Sequence, residues 1–373
     1  MNNRNRYYYL LIGIVAIGIS AYLFIFPNFE TTQFDAETIE NISKGVTTTN
    51  PQPENSDQIN EELANSENID IAKENSSTVN KFLENSTADK NIDGYNVYLL
   101  IGSDERSADS SASRGYVEGA RADVIILGLI GQDSGTNHLI SIPRDVLISN
   151  PCTKEVARIN STFIKNDCGN KAENLAASIN NLTGIKINHF ASFNFEGFEQ
   201  IIDSFNGVEI CVDKTQREGF SFELQKGCQT VNGSTALNWV VSRNTEVLVG
   251  EKVLDDNGND QSEWITMSGV SDLSRNQRQQ YIILQLLNEV KEFSSLNELT
   301  SFINALEDTF VIDENLTLNK AINLLWDFRG VDLDSIKQHS LPVENYELTD
   351  GRQVLIMTEN FSKFAISIGI LKN

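Results

Sequence analysis

Three apolar stretches that end in charged residues decide the fold of this chain: NVYLLIGSD at residues 96–104, DVIILGLIG at residues 123–131 and NHLISIPRD at residues 137–145. Apolar runs of this length that end in turns are typical of buried strands, and Pro143 ends the third one. Strand ends of an α/β protein converge on one crevice. We therefore expect Asp104, Asp123 and the SIPRD segment to lie together.

Helical patterns alternate with these strands. The predicted helices cover residues 171–182, 196–205, 232–241, 275–293, 296–306 and 318–328. Further strands are predicted at HFASFNF (residues 189–195), at VEICV (208–212) and in the tail at QVLIM (353–357) and FAISIGIL (364–371). The alternation predicts an α/β fold with a mixed central β-sheet flanked by helices on both sides.

The N-terminus predicts a membrane anchor. Residues 7–26 form an uncharged apolar run of 20 residues, which matches one helical crossing of a bilayer. Arg4 and Arg6 precede this run and acidic residues follow it, so the positive-inside rule places the N-terminus in the cytoplasm and the rest outside the cell membrane. A cleaved signal peptide is the alternative, although no small-residue cleavage site follows the run.

The predicted organisation has three parts. Residues 1–27 form the cytoplasmic stub and transmembrane helix, residues 28–93 a disordered acidic linker, and residues 94–373 the folded domain. The linker prediction depends on composition, since this segment has 14 acids, four lysines and few large apolar residues. The net charge of the whole chain is −23, which argues against binding to nucleic acid phosphates.

The chain has four cysteines, at positions 152, 168, 211 and 228. Exported proteins meet oxidising conditions, so two disulfides are expected, and three connectivities could join them. We favour Cys152–Cys168 and Cys211–Cys228 because each would close a short loop. A zinc site is the competing interpretation, but the sequence has no CxxC pair and its three histidines are scattered.

Arginine is nearly the only base in the first half of the domain. Between residues 95 and 158 the chain has five arginines and one lysine. A planar guanidinium grips phosphate oxygens in pairs, and carboxylates can hold a divalent cation beside them. Arg121 and Arg144 accompany Asp104 and Asp123 at the predicted strand ends, which indicates a phosphate site. Each aspartate could equally just close a turn.

A second basic cluster occurs at DLSRNQRQQ, residues 272–280. Arg275 and Arg278 lie three residues apart at the start of a predicted helix and therefore on one face. The amide groups of a helix N-terminus favour anions. Asp272 is a candidate N-cap, and that role alone would explain it.

These clusters, in this order, resemble the LytR-CpsA-Psr family of membrane-anchored cell-wall enzymes. The matching pieces are LLIGSDER, RADVIIL, ISIPRDVLI, RINSTF, NFEGFEQIIDSFNGVEICV, VNGSTALNWVVSR and DLSRNQRQQ. The resemblance covers residues 95–293, and the paired cysteines resemble actinobacterial members. It implies a phosphotransferase that moves a glycopolymer from a polyprenyl-pyrophosphate carrier, held in an apolar tunnel, to peptidoglycan through a phosphodiester.

The resemblance also implies roles for individual residues. Asp104 and Asp123 would hold Mg²⁺, with Mn²⁺ as an alternative. The pyrophosphate ligands would be Arg121, Arg144, Arg243 and Arg275, supported by Arg278 and Gln279. Asp145 would orient Arg144, and Asp272 would assist the acceptor hydroxyl.

Two departures and two alternatives accompany this prediction. The family often has an arginine where this chain has Val241, and residues 244–270 form a long polar insertion that could shape the choice of acceptor or polymer. Water in place of the acceptor would make the same site a polyprenyl-pyrophosphate hydrolase. A non-catalytic surface receptor for lipid-linked wall polymers would bind without turnover.

Overall fold

The computed structural model describes residues 30–44, 83, 88, 92–104, 121–132, 136–267, 272–306 and 309–372. The predicted membrane span at residues 7–26 and most of the predicted linker lie outside these residues. Within the described ranges, no helix combines the length and the apolar character that a membrane crossing requires.

The described residues form seventeen strands and eight helices. The strands are β1 (Glu30–Thr32), β2 (Tyr95–Ser103), β3 (Ala122–Gly131), β4 (Asn137–Ser141), β5 (Leu147–Ser149), β6 (Val156–Arg158), β7 (His189–Asn194), β8 (Val208–Val212), β9 (Gln216–Glu218), β10 (Phe222–Leu224), β11 (Gly227–Val231), β12 (Glu246–Val249), β13 (Glu263–Thr266), β14 (Phe310–Asp313), β15 (Lys337–Ser340), β16 (Val343–Glu347) and β17 (Gln353–Met357). The helices are α1 (Ala36–Ser43), α2 (Lys171–Thr183), α3 (Phe195–Ser204), α4 (Gly233–Val241), α5 (Asp272–Lys291), α6 (Leu296–Asn304), α7 (Leu318–Phe328) and α8 (Phe361–Ser367).

A seven-stranded sheet forms the centre of the domain, in the order β1-β14-β7-β2-β3-β4-β15. The pairs β1–β14, β7–β2 and β4–β15 are parallel and the other pairs are antiparallel. A smaller antiparallel sheet has the order β10-β9-β12-β13. The predicted mixed α/β fold with a central mixed sheet is confirmed.

Helices cover both faces of the central sheet. On one face, Leu99 and Leu127 belong to a large buried core with side chains of α1, α2 and α8. On the other face, Leu100 and Val124 point towards α5 and the segment that follows α7. Successive residues of a strand point to opposite faces, so the continuous apolar runs reflect burial on both sides.

The linker prediction is wrong for residues 30–44. Strand β1 adds to the edge of the sheet beside β14, and α1 packs on α2. Phe34, Ile39 and Ile42 are buried in the large core, at 3–5% exposure. The composition of residues 28–93 is polar on average. That average hid the three apolar residues near its start, which pack together into the core.

Two further predictions are corrected in detail. FAISIGIL was expected to form a strand, but residues 361–367 form α8, which Asn360 caps by accepting a hydrogen bond from the Ser362 amide. The polar insertion at residues 244–270 contains the hairpin β12–β13, which completes the smaller sheet. Arg217 stabilises that hairpin by pairing with Glu246 and Asp260, with Nε–O and Nη1–O distances of 2.9 and 2.7 Å.

The favoured cysteine pairs are brought together. The sulfur atoms of Cys152 and Cys168 lie 1.96 Å apart, and those of Cys211 and Cys228 lie 2.08 Å apart. Cys211 and Cys228 face each other in the two-stranded antiparallel sheet of β8 and β11. The turn before β8 places Asn206 and Gly207 at positive φ, 62° and 110°, where glycine has no steric penalty.

Candidate functional site

The charged residues at the ends of β2, β3 and β4 lie together along one end of the central sheet. Strands β2 and β3 pair in antiparallel fashion with Ser103 opposite Ala122, so the end of β2 meets the start of β3. Strand β4 ends at the same edge, because Ser141 pairs with Ile126. Asp104, Asp123 and the SIPRD segment therefore share this edge, which we call the polar edge.

Arg144 is held by two carboxylates at the polar edge. Its Nη1 donates to Asp123 Oδ1 at 2.5 Å, and its Nε lies 3.5 Å from Asp145 Oδ2. Asp145 also lies 3.4 Å from Arg158 Nε. The Nε groups of both arginines are buried without a hydrogen-bond partner, because their contacts with Asp145 are close but poorly aligned. Both Nε groups therefore face the Asp145 carboxylate in the interior of the site.

Asp104 and Arg121 meet where the chain leaves and re-enters the sheet. The Arg121 amide donates to Asp104 Oδ1 at 2.8 Å, and the Asp104 amide donates to the Arg121 carbonyl at 3.3 Å. The Arg121 residue is exposed. Asp104 thus links the end of β2 to the residue before β3, while its carboxylate stays at the same edge as Asp123.

Arg275 joins this cluster from helix α5. Burial, together with the neighbouring Arg144, lowers the pKa of Arg275 to about 10, while Asp145 and Asp123 act in the opposite direction. The guanidinium remains charged at neutral pH. The structure therefore brings Arg275 together with the Arg144 group, as the sequence predicts.

Arg278 lies in a different place from Arg275. Its Nη1 donates to the carbonyl of Trp239 at 2.8 Å and to Thr245 Oγ1 at 3.0 Å, and burial lowers its pKa to about 10. These two contacts bracket the turn that carries the exposed Arg243. Arg278 therefore fixes the position of Arg243, and its guanidinium is occupied by protein groups.

The remaining predicted residues have distinct positions. Asp272 is the first residue of α5, and its side chain lies outside the described set. Gln279 is half-buried and lines a cavity. The next residue, Gln280, is buried and donates to Ser141 Oγ and to the His339 carbonyl. Gln280 thus fastens α5 to the ends of β4 and β15.

A cavity of about 380 Å³ lies directly behind the polar edge, between the sheet and helices α3 to α7. Gly102 and Val124 line it within two residues of Asp104 and Asp123, and it extends to Leu306 and Leu316. Its other walls are almost entirely aliphatic and aromatic. An anion-binding edge that continues into an apolar cavity suits an amphiphile with a phosphate head and a hydrocarbon tail.

A scan of protein families agrees with this geometry. The model described as the LytR_cpsA_psr family matches residues 55–364. The chain belongs to this family. The match covers the polar edge, the cavity and both cysteine pairs.

Named relatives of this LytR-CpsA-Psr protein come from several bacteria. A polyisoprenyl-teichoic acid–peptidoglycan teichoic acid transferase, TagU of Bacillus subtilis, is 24% identical over 65% of this chain and 67% of its own length. The probable cell wall biosynthesis protein LcpB of Corynebacterium glutamicum is 30% identical over 40% of this chain. The chain spans only 36% of that relative's length.

Solved structures share the fold. A LytR-Csp2A-Psr enzyme from Actinomyces oris superposes with a TM-score of 0.55 at 20% identity, covering 76% of this chain and 96% of its own. TagT bound to LIIa-WTA gives a TM-score of 0.51 at 18% identity, covering 77% and 93%. At such identities the likeness concerns the fold alone.

The family departure at Val241 has a structural counterpart. Val241 ends α4 and lines the apolar cavity. In this LytR-CpsA-Psr protein the position therefore contributes to the cavity wall, and Arg243 is the basic residue of the following turn.

Sequence reasoning missed one polar pair. His138 on β4 and His339 on β15 were described as scattered, yet the His138 Nδ1 and His339 Nε2 atoms lie 3.1 Å apart. Burial and the neighbouring His339 lower the pKa of His138 to about 4. The pair lies within the sheet, and only the parallel pairing of β4 and β15 could have revealed it.

Proposed function

We propose that this protein is a phosphotransferase that moves a glycopolymer from a polyprenyl-pyrophosphate carrier to peptidoglycan during cell wall assembly. The observation that carries the proposal is the continuity between the polar edge and the cavity, since Gly102 and Val124 belong to the cavity wall and lie beside Asp104 and Asp123. The named transferase relatives support the same chemistry. The polymer and the acceptor sugar stay open.

The tail and head of the carrier would occupy different parts of the site. The polyprenyl chain would lie in the apolar cavity, where burial of its methylene groups supplies binding energy. Arg144, which follows β4, and Arg275, on α5, would grip the pyrophosphate together. The exposed Arg121 and Arg243 would reach it from the rim. Arg278 would act through the position of Arg243 rather than by contact.

Asp104 and Asp123 fit a magnesium ion by their chemistry. Both are carboxylates at adjacent strand ends, and each retains an oxygen that no described hydrogen bond uses. Mg²⁺ prefers one or two carboxylates together with phosphate oxygens and water, and Mn²⁺ would suit the same ligands. When bound, the ion would neutralise charge on the pyrophosphate.

The protein's own groups would act mainly through charge and position. The hydroxyl oxygen of the acceptor sugar attacks the phosphorus that carries the glycopolymer, and the bond from this phosphorus to the bridging oxygen breaks. Polyprenyl phosphate leaves with the bonding electrons. Arg144 and Arg275 stabilise the charge that develops on this leaving group. Asp272 is our candidate to accept the hydroxyl proton.

The location of the protein belongs to this proposal as well. A span at residues 7–26 would anchor the chain in the cell membrane with the N-terminus in the cytoplasm and the catalytic domain outside. Two cysteine pairs at bonding distance support this placement, because disulfides persist in oxidising compartments.

The test compares two arginine variants. Arg144→Ala should lower transfer by about 10³-fold, a size typical of losing one charged group that stabilises a transition state. Arg329→Ala is the matched control, since Arg329 bonds the Lys291 carbonyl at the far end of α5, about 24 Å along the helix from Arg275. The control should stay within about twofold of wild type.

The assay would follow both products with a short-chain polyprenyl-pyrophosphate saccharide, Mg²⁺ and a peptidoglycan oligomer. Phosphodiester product that requires the acceptor and Arg144 supports the transferase. Release of polyprenyl phosphate without an acceptor would instead make the protein a hydrolase. Tight binding without either product would make it a receptor for lipid-linked polymers.

A further inference from the structure

The first described strand ties the start of the chain to the domain. Strand β1 pairs with β14 through Glu30 opposite Val311 and Thr32 opposite Asp313. The Glu314 amide donates to the Thr32 carbonyl at 3.1 Å, and the buried Phe34 packs against Phe190 with ring centroids 5.0 Å apart. This segment is therefore part of the folded body and does not lie along a free tether.

Very little chain separates β1 from the predicted membrane span. The apolar run ends at Phe26, and only Pro27, Asn28 and Phe29 precede Glu30. Even a fully extended chain covers at most about 14 Å over these four steps. The beginning of β1 must then lie within about 14 Å of the end of the span.

The strand register shows at which end of the strands β1 begins. Glu30 is next to Val311, and the preceding residue of β14, Phe310, pairs with Phe193 near the end of β7. Phe193 in turn pairs with Gly102 near the end of β2. The beginning of β1 thus lies at the polar edge. Four inter-strand steps, about 19 Å, separate it from β3.

We propose that the polar edge faces the outer surface of the bilayer and that β1 holds it there. The partner of this surface is the lipid headgroup layer. The inference rests on the proposed function for its purpose: a carrier pyrophosphate at the headgroup level would meet Arg144 and Arg275, while its tail passes from the bilayer into the cavity behind Gly102. A 66-residue tether would leave the orientation of the domain free.

Charge supports the same orientation. Residues 94–373 contain 38 acids against 23 bases, so most surfaces of the domain are repelled by anionic lipids. The exposed Arg121 lies at the polar edge, directly before β3. Cationic side chains within a Debye length of a membrane surface are attracted to its anionic headgroups.

An insertion experiment tests the role of β1 in the full-length protein reconstituted in lipid nanodiscs. Twenty Gly-Ser residues would be inserted between Pro27 and Asn28, which adds about 25 Å of flexible reach. The matched control places the same insert after Asn60, between α1 and β2, where it leaves the distance from the span to β1 unchanged.

The first insertion should lower transfer from a bilayer-embedded, long-chain polyprenyl-pyrophosphate saccharide about tenfold, whereas the control insertion should leave it within twofold. With a detergent-solubilised short-chain donor, both variants should match wild type. Equal effects of the two insertions, or no effect of either, would overturn the proposal. Absence of turnover by wild type with the solubilised donor would count against the transferase function instead.

A distance measurement tests the orientation without any turnover. Fluorophores attached at Glu196→Cys, just beyond β7 at the polar edge, and at Gln132→Cys, at the opposite end of β3, lie about 30 Å apart along the strands. Both positions are exposed. Quenching by headgroup-labelled lipid in nanodiscs should be at least threefold stronger at residue 196. Equal quenching, or stronger quenching at residue 132, would refute the orientation. Cleavage between the predicted span and β1 that releases the domain from the membrane would refute it as well.

Discussion

The two faces of the central sheet have similar apolar sequences but very different packing. On the face covered by α2 and α8, Leu99 and Leu127 have no solvent exposure and belong to the largest buried core. On the opposite face, Leu100 and Gly128 line a cavity of about 380 Å³. The comparison indicates that one filled face supplies the stability that lets the other stay hollow.

Five helices enclose the hollow face of the sheet. Its walls come from α3, α4, α5, α6 and α7, which approach the sheet from the opposite side to α2. Close backbone contacts hold some of these helices in place. A Cβ atom at Gly233 would lie 2.3 Å from the Glu199 carbonyl oxygen, and one at Gly197 would lie 2.2 Å from that of Thr309. Only glycine allows these approaches.

The largest expected effect is on the filled face. Leu99→Ala should lower the free energy of unfolding by about 3 kcal/mol, because it opens a void in a core without free space. Leu100→Ala, the neighbour that lines the cavity, should cost only about 1 kcal/mol, because fewer contacts are lost. Urea unfolding of residues 30–373 would measure both. Equal losses would show that the faces are packed alike.

The second largest effect is expected from acid, which should lower the free energy of unfolding through His138. The pKa of His138 falls to about 4, chiefly through burial, with His339 and Lys337 adding repulsion. A histidine with a lowered folded-state pKa contributes stability that is present above its unfolded value of 6.5 and lost as the pH falls towards 4. Stability should therefore drop by about 2 kcal/mol between pH 7 and pH 5.

The measurement is urea unfolding at both pH values, with His138→Phe as the comparison. His138 contacts Tyr95 edge-on at 5.9 Å between ring centroids, so an aromatic replacement preserves that packing. The variant should lose more than half of the pH dependence. An unchanged dependence would mean that groups elsewhere cause the acid sensitivity.

The smallest effect on stability is expected on the hollow face. A Cβ atom at Gly128 would meet only ordinary contacts, the Tyr98 carbonyl oxygen at 3.8 Å and Leu139 Cδ2 at 3.9 Å. Gly128→Val should change the free energy of unfolding by less than about 1 kcal/mol. It should nevertheless weaken binding of a polyprenyl phosphate about tenfold, since the added methyl groups occupy the cavity.

Calorimetric titration would follow that binding, with Gly128→Ala as the milder step in the same series. We expect the affinity to fall in the order glycine, alanine, valine. Binding by the valine variant as tight as that of wild type would show that the tail lies elsewhere.

The sequence predicted the polar edge better than the cavity. Asp123, Arg144 and Arg275 could be placed because each follows or begins a strongly patterned element, and strand ends converge. For Arg278, spacing on the helix identified a face shared with Arg275 but not the hydrogen-bond partner, which is the Trp239 carbonyl. An apolar tunnel was expected only from the family resemblance, because apolar side chains around a void have the same periodicity as those in a solid core.

Other differences arise from contacts between distant segments. Strand β1 depends on pairing with β14, some 280 residues away, and no local pattern in three residues announces it. The segment FAISIGIL has apolar content that suits either a strand or a helix, and the cap at Asn360 together with packing of Phe364 decides for a helix. The His138–His339 pair likewise requires the sheet order.

The reciprocal contact between Asp104 and Arg121 has an evolutionary consequence. The Asp104 amide donates to the Arg121 carbonyl and the Arg121 amide donates to the Asp104 carboxylate, so that these two residues form a neck at the two ends of segment 105–120. Because the neck is fixed by its own two residues, the sixteen residues beyond it can be exchanged or lengthened in descendants, and doubling their number would cost only about 0.6 kcal/mol in closure entropy. This segment could thus be exchanged while the polar edge is inherited unchanged.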